Sequence, residues 1–182
     1  MHLTWLGLSG FKLETKNATL VLDPYGPSVA PRPLRAKADI VTVSNPESPA
    51  HGHVEGILGT PFVVDHPGEF EVKEVFIQGI DSGNREQRTG NREVSETRTK
   101  SSIAASGGPI ASTVFTFDSE ELRLAHLGDI SSVPSDEILE NIGEVDILFL
   151  PVGGGETLDP EAAMRAVNAI EPRIVVPMHF RQ

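Results

Sequence analysis

The sequence predicts a mixed α/β fold, and three observations carry that prediction. The first third is a series of strand-length apolar segments punctuated by Gly, Ser and Asn. From residue 112 onward, strand segments alternate with helix signals. The apolar segments also end repeatedly in polar or Gly-containing turns. A single domain over residues 1–182 is expected, because a chain of this length buries one sizeable core without splitting.

In order along the chain, His2–Leu6, Phe11–Glu14 and Thr19–Leu22 are separated by Gly7, Ser9-Gly10 and Asn17, and read as a β meander. A connection follows in which Pro24, Pro27, Pro31 and Pro33 fix φ and forbid a helix or a central strand. Asp39-Ile40-Val41-Thr42-Val43 is a β-branched run of the kind buried on both faces, and Ser44-Asn45-Pro46 stops it. Pro61–Val64 and Glu69–Gln78 read as further strands, with a turn at Pro67-Gly68 and a slip in the alternation before Val75.

Residues 81–109 are dominated by Gly, Ser, Thr, Asn, Arg and Glu, with Val94 and Ile103 as the bulky apolar residues. They predict a polar surface loop or lid. Ser112–Phe117 and Leu122–His126 read as a hairpin turning at Asp118-Ser119, broken after His126 by Leu127-Gly128-Asp129. Ser135 as N-cap, Asp136 and Glu137 in the first turn, apolar Ile138, Leu139 and Ile142, and Gly143 as the stop predict a short helix. Asp146–Leu150 is a buried strand, and Asp159-Pro160-Glu161 opens a helix with Ala163, Met164, Val167 and Ile170 as its apolar stripe. Arg173–Val176 is the last strand and runs into Pro177-Met178-His179.

Charge and composition exclude several function classes. With 15 Lys plus Arg against 26 Asp plus Glu, the net charge of -11 repels a phosphate backbone, so no nucleic-acid partner is expected. There is no Cys, so thiolate metal sites and disulfides are excluded and any metal rests on His, Asp, Glu, backbone or water. Neither a secretory signal nor an apolar stretch near the ~20 residues of a membrane span is visible, so no membrane partner and a cytoplasmic location are expected. Homo-oligomerisation is compatible with the sequence.

The chemistry is expected where strands end, because there the backbone turns outward and side chains converge without belonging to the core. On a shared rim Asp129 and His179 could meet, and an aspartate with neutral imidazole suits Zn²⁺, Mn²⁺ or Fe²⁺. A third ligand must come from elsewhere, and His51-Gly52-His53 is the available source. His126, inside an apolar run, reads as a hydrogen-bonded core histidine, and Asp23 before Pro24 as a turn former. Gly153-Gly154-Gly155 lacks the Lys of a phosphate-binding loop.

Several motifs in one order carry a family resemblance: Leu3-Thr4-Trp5-Leu6-Gly7-Leu8-Ser9-Gly10-Phe11, Leu20-Val21-Leu22-Asp23-Pro24, Ala38–Ser44, Pro67–Val72, His126-Leu127-Gly128-Asp129, Pro151–Gly154 and Pro177-Met178-His179. Together they resemble the metallo-β-lactamase-fold metal-dependent hydrolases, in the ascorbate-phosphate-lactonase-like group, over nearly the whole chain apart from residues 81–109. The resemblance implies the metallo-β-lactamase fold, an αββα sandwich of two mixed β-sheets flanked by helices, with the site at one edge of the sheets.

The family's metal motif is a Ser followed by His-x-His-x-Asp-His, and this chain departs from it. Asn45 and Glu47 stand where the first two His are expected, Pro49 where the Asp is, and His51 matches the last His with a one-residue insertion. No His stands near Ser82–Asn84, where the next ligand is expected. The resemblance thus implies a degenerate, single-metal site on His51, Asp129 and His179, holding one divalent ion, Zn, Mn or Fe. Asp129 and Glu47 are expected to carry catalysis on a small ester, lactone or phosphate-type substrate. The competing expectation is an inactive family member that binds a ligand or partner.

Overall fold

The structure is a computed structural model, and it describes residues 1–30, 32, 34–83, 112–155 and 157–180. The loop or lid expected over residues 81–109 lies outside the described residues, save for 81–83.

Thirteen strands, two α-helices and one 3₁₀ turn are found among the described residues. The strands are β1 (His2–Gly7), β2 (Gly10–Glu14), β3 (Thr19–Leu22), β4 (Ala36–Lys37), β5 (Ile40–Thr42), β6 (Ile57–Leu58), β7 (Phe62–Val64), β8 (Gly68–Val72), β9 (Val75–Asp81), β10 (Thr113–Ser119), β11 (Leu122–His126), β12 (Ile147–Pro151) and β13 (Ile174–Met178); the helices are α1 (Asp136–Ile142) and α2 (Pro160–Ile170). One sheet has the order β1-β2-β3-β5-β7, a second β13-β12-β11-β10-β9-β8, and β4 pairs with β6 in a small ribbon.

Both large sheets are mixed. The first begins as the expected antiparallel meander and continues with parallel β3, β5 and β7. The second is antiparallel from β8 to β11 and parallel from β11 to β13, with α1 and α2 lying in the crossovers. Parallel strands end on the same side, so the carboxyl ends of β11, β12 and β13 collect at one rim, as do those of β3, β5 and β7.

Side-chain alternation decides what each sheet covers. Phe11, Leu13, Leu20, Leu22 and Ile40 from the first sheet meet Ile77, Phe115, Phe117, Leu124 and Phe149 from the second, closing the core between the sheets. The other face of the second sheet packs Val114, Ala125, Leu148 and Leu150 against Ile138 and Ile142 of α1 and Ala162, Ala163, Ala166 and Ile170 of α2. Val21, Val41 and Val43 on the outer face of the first sheet are covered by Tyr25, Leu34, Ala38 and Ile57, contributed by the proline-rich connection and the β4–β6 ribbon.

Two hairpin turns fall elsewhere than the sequence suggested. The slip before Val75 is a two-residue turn at Lys73-Glu74, which separates β8 from β9, and the β10–β11 turn is Glu120-Glu121 rather than Asp118-Ser119. All four turn residues have positive φ, from 49° to 62°. That geometry matches the strand twist but is usually supplied by Asn-Gly, so charged residues hid the turns. In α2, Met164 is 61% exposed, contrary to its expected place in the apolar stripe. The buried face runs through Ala162, Ala163, Ala166 and Ile170, at the spacing of a helical stripe, and Met164 lies to one side of it.

Candidate metal centre

The strand-end rims of the two sheets meet. The backbone N–H of Thr113 donates to the Ser44 carbonyl at 2.8 Å, and Gly128, at φ 62°, lies against Ser44 so tightly that a Cβ there would stand 2.6 Å from Ser44 Cβ. Gly128 therefore serves both a left-handed backbone and a close approach, which brings Asp129 opposite Asn45. Gly153 allows a close approach beneath His179, whose carbonyl oxygen would lie 1.9 Å from an added Cβ.

His51 was expected on a loop and is on one, but it is almost wholly buried. Turns from Ser48 to His51 and Gly52 fold the segment inward, and Asp23 receives the ring. Asp23 ends β3 at φ 44°, with its carboxylate fully buried. Its Oδ1 accepts the Ser44 N–H at 2.7 Å, and its Oδ2 accepts the Ser44 hydroxyl at 2.6 Å and the His51 Nδ1–H at 2.6 Å. The Ser9 hydroxyl lies 3.1 Å from the same Nδ1. With Nδ1–H committed to a carboxylate, His51 turns Nε2 toward the cleft.

The three residues expected to share a metal converge there. His51 Nε2 lies 3.2 Å from His179 Nε2 and 3.7 Å from Asp129 Oδ2. His179 reaches this point from the end of β13 with φ 54°, a left-handed conformation that costs about 1 kcal/mol or more in an L-residue and marks a position held by its surroundings. Asp129 Oδ2 accepts the Asn45 side-chain amide at 3.0 Å, and its Oδ1 is buried without a hydrogen-bond partner among the described residues.

Electrostatics order the protons. Burial works to raise Asp23, but the charges of His51 and His126 and the hydrogen bonds from His51 and Ser44 outweigh it and hold the carboxyl below its usual range. Burial likewise works to lower His51, yet the Asp23 carboxylate, with Asp129 behind it, raises the imidazole above its ordinary value. Burial and the adjacent His51 charge push His179 down to about 4. Of the two rings His51 thus holds a proton the more readily, with its Nε2 3.2 Å from that of His179.

His126 is in the core, as expected: its Nε2–H donates to the Ser9 carbonyl at 3.0 Å, its Nδ1 accepts the Gly128 N–H at 3.3 Å, and burial lowers its pKa. Glu47 does not join the cluster. Its side chain is exposed, bordering a separate cavity of about 270 Å³ with Pro27, Pro46 and His53, while its backbone N–H donates to Asn45 Oδ1. Sequence reasoning missed Asn45 and underrated Asp23. The signal for Asp23 was a carboxylate placed directly after the wholly apolar Leu20-Val21-Leu22.

Donors about 2.0–2.2 Å from one tetrahedral ion lie about 3.3–3.5 Å apart, close to the two separations of 3.2 and 3.7 Å, and the buried Asp129 Oδ1 has no hydrogen-bond partner among the described residues. As the side chains stand, no three His, Cys, Asp or Glu among the described residues close into a group that could hold a metal ion. Two local changes separate the side chains from such a group: loss of a proton at His51 Nε2 and a turn of Asp129 away from Asn45.

A family model described as a beta-lactamase superfamily domain matches residues 2–179. A UPF0173 metal-dependent hydrolase of Methanopyrus kandleri is 27% identical, over 99% of this chain and 84% of its own length. A UPF0173 protein of Pyrococcus abyssi is 30% identical, over 99% of this chain and 83% of its own. Among solved structures, a metallo-β-lactamase superfamily protein of Thermotoga maritima superposes with a TM-score of 0.74 at 29% identity, over 99% of this chain and 76% of that one.

Proposed function

Because the chain belongs to the beta-lactamase superfamily domain family and has the metallo-β-lactamase fold, we propose that it is a metal-dependent hydrolase whose single divalent cation, zinc or else manganese or iron, is held by His51, Asp129 and His179. The observation that supports this reading is the convergence of His51 Nε2, His179 Nε2 and the Asp129 carboxylate at the seam between the sheets. The substrate class is a small ester, lactone or phosphate-type molecule. When bound, the cation supplies Lewis acidity, acidifying water and polarising a carbonyl or phosphoryl oxygen.

The chain's own residues supply the rest. Asp23 fixes the His51 tautomer, so that a nitrogen lone pair becomes available in the cleft once the Nε2 proton leaves. His179 stays neutral through the physiological range and offers its Nε2 without losing a proton. Asp129, partly exposed and short of one hydrogen bond, is the carboxylate placed to accept a proton from attacking water. The exposed Glu47 is the weaker candidate for that role.

The test is metal content followed by activity. Chelator-stripped protein exposed to Zn²⁺ or Mn²⁺ should retain about one equivalent, and a panel of activated esters, lactones and phosphate esters should show turnover that falls at least ~100-fold in Asp129→Ala, the scale of a lost acid–base group. An absence of stoichiometric metal sinks the proposal. One observation favours a second reading, a ligand- or partner-binding protein without catalysis: His51–His179 and Asn45–Asp129 already satisfy one another without an ion. Metal-dependent turnover lost in Asp129→Ala would exclude it.

A further inference from the structure

Trp5 and Phe180 form an exposed aromatic pair beside the His51–Asp129–His179 cluster. Along β1, Leu3 packs against the core between the sheets, and Trp5, two residues on and on the same face, emerges beyond it. Trp5 is 43% exposed, and its ring lies 5.2 Å from that of Phe180, which is 41% exposed. One atom fastens the pair to the site: the Leu8 carbonyl accepts the Trp5 indole N–H at 3.2 Å and the backbone N–H of His179 at 3.4 Å. Phe180 follows His179 directly in the chain, and Gly153 lies close beneath both. The two rings therefore flank the His179 backbone and are held by the contacts that hold it.

We propose that Trp5 and Phe180 are the subsite for an aromatic ring carried by the substrate next to its scissile group. The indole's one polar atom is already bonded to Leu8, so what the pair offers is apolar ring area, suited to stacking or edge contact with a further ring. Its orientation is fixed before anything binds, which keeps the ordering cost low. The continuity of the pair with His179 is what selects a substrate, and not a second copy of the chain, as its occupant. The inference rests on the hydrolase reading given above and narrows its substrate class to aryl-bearing molecules.

Trp5 is the chain's one tryptophan, so its emission reports on this place alone. Titration of the full chain with benzamide, a neutral aryl carbonyl far less reactive than an ester, should shift that emission saturably, whereas acetamide at equal concentration should not. Phe180→Ala should weaken benzamide binding roughly two- to tenfold, the range of one aromatic pair. Turnover by the zinc-loaded chain is then compared within matched pairs, methyl phenylacetate against methyl acetate and benzyl phosphate against ethyl phosphate. Trp5→Leu and Phe180→Ala should each lower the ratio of kcat/KM for the ring-bearing member to that for the ringless one, roughly two- to tenfold and through KM. General damage to the fold would not produce that split, and melting curves check that both variants are folded. Emission unmoved by benzamide, emission moved equally by acetamide, a ratio unchanged in both variants, or turnover confined to the ringless members would each overturn the inference and leave the hydrolase reading standing. Emission that shifts with protein concentration alone would overturn it too, by placing a second copy on the pair. No turnover of either member of any pair would bring down the hydrolase reading and this inference with it.

Discussion

Asp23 concentrates much of the energetic demand of the site in a single residue. A fully buried carboxylate is tolerable because the Ser44 N–H, the Ser44 hydroxyl and His51 all bond to it. Asp23→Asn keeps the shape but removes the charge that holds the proton on His51, and should destabilise the fold by about 3 kcal/mol, measured by urea denaturation. The raised His51 pKa has a second consequence: a cation at Nε2 must displace a proton. Zinc affinity should therefore climb by about tenfold per pH unit up to the folded pKa of His51 and then level off. Calorimetry in buffers of different ionisation enthalpy should show about one proton released per ion; zinc affinity that does not change with pH would refute the proton assignment. Asp129 and His179 were legible as strand-end residues because each follows an apolar run that ends abruptly, whereas His51 lies well beyond the run ending at Val43 and was reached through the family motif. Asn45 was not legible, because the role of an amide depends on which of its ends faces the partner, and only the Glu47 N–H settles that.

At the scale of elements, strands and helices were read closely and turns were not. Apolar runs and caps announce themselves: Asp159 accepts the Ala162 N–H at 2.7 Å with Pro160 behind it, and Gly143 closes α1. Asp159→Ala should accordingly cost about 1 kcal/mol, visible as a lower melting temperature. The left-handed turns at Lys73-Glu74 and Glu120-Glu121 carry no such signal, since neither Lys nor Glu favours positive φ. Tertiary pairings compensate: Lys73 bonds Asp39 at 2.6 Å, Glu74 accepts the Asn17 amide, and Glu120 accepts the Lys16 N–H. Glu121 has no such partner among the described residues. Glu121→Gly should therefore stabilise the protein by about 0.5–1 kcal/mol, measured by chemical denaturation, and an unchanged midpoint would show the turn to be unstrained.

Across the whole molecule, two neutral histidines, buried His126 and half-buried His179, set the acid limit. Burial lowers both His126 and His179, the latter to about 4, whereas the unfolded chain takes up these protons near 6.5. The His179 contribution is full above pH 6.5 and is lost as pH falls from there to about 4, and that of His126 is lost in the same direction; His51, shifted upward, contributes in the opposite sense, at lower pH. The unfolding midpoint should fall between pH 7 and 5, above the range in which carboxylates titrate, and His179→Gln should flatten part of that fall. The chain's architecture was legible because the meander and the strand–helix alternation are local patterns. Which rims touch was not, because that depends on the Gly128–Ser44 approach between distant segments.

The cluster also constrains the order of assembly. His51 and His179 are separated by 128 residues, Asn45 and Asp129 by 84, and no segment shorter than the sandwich itself brings them together. Closing such long loops before any contact rewards them is slow. During refolding, a signal from the paired imidazoles, such as the appearance of zinc-binding capacity, should arrive only with the last kinetic phase, making the centre a reporter of completed topology.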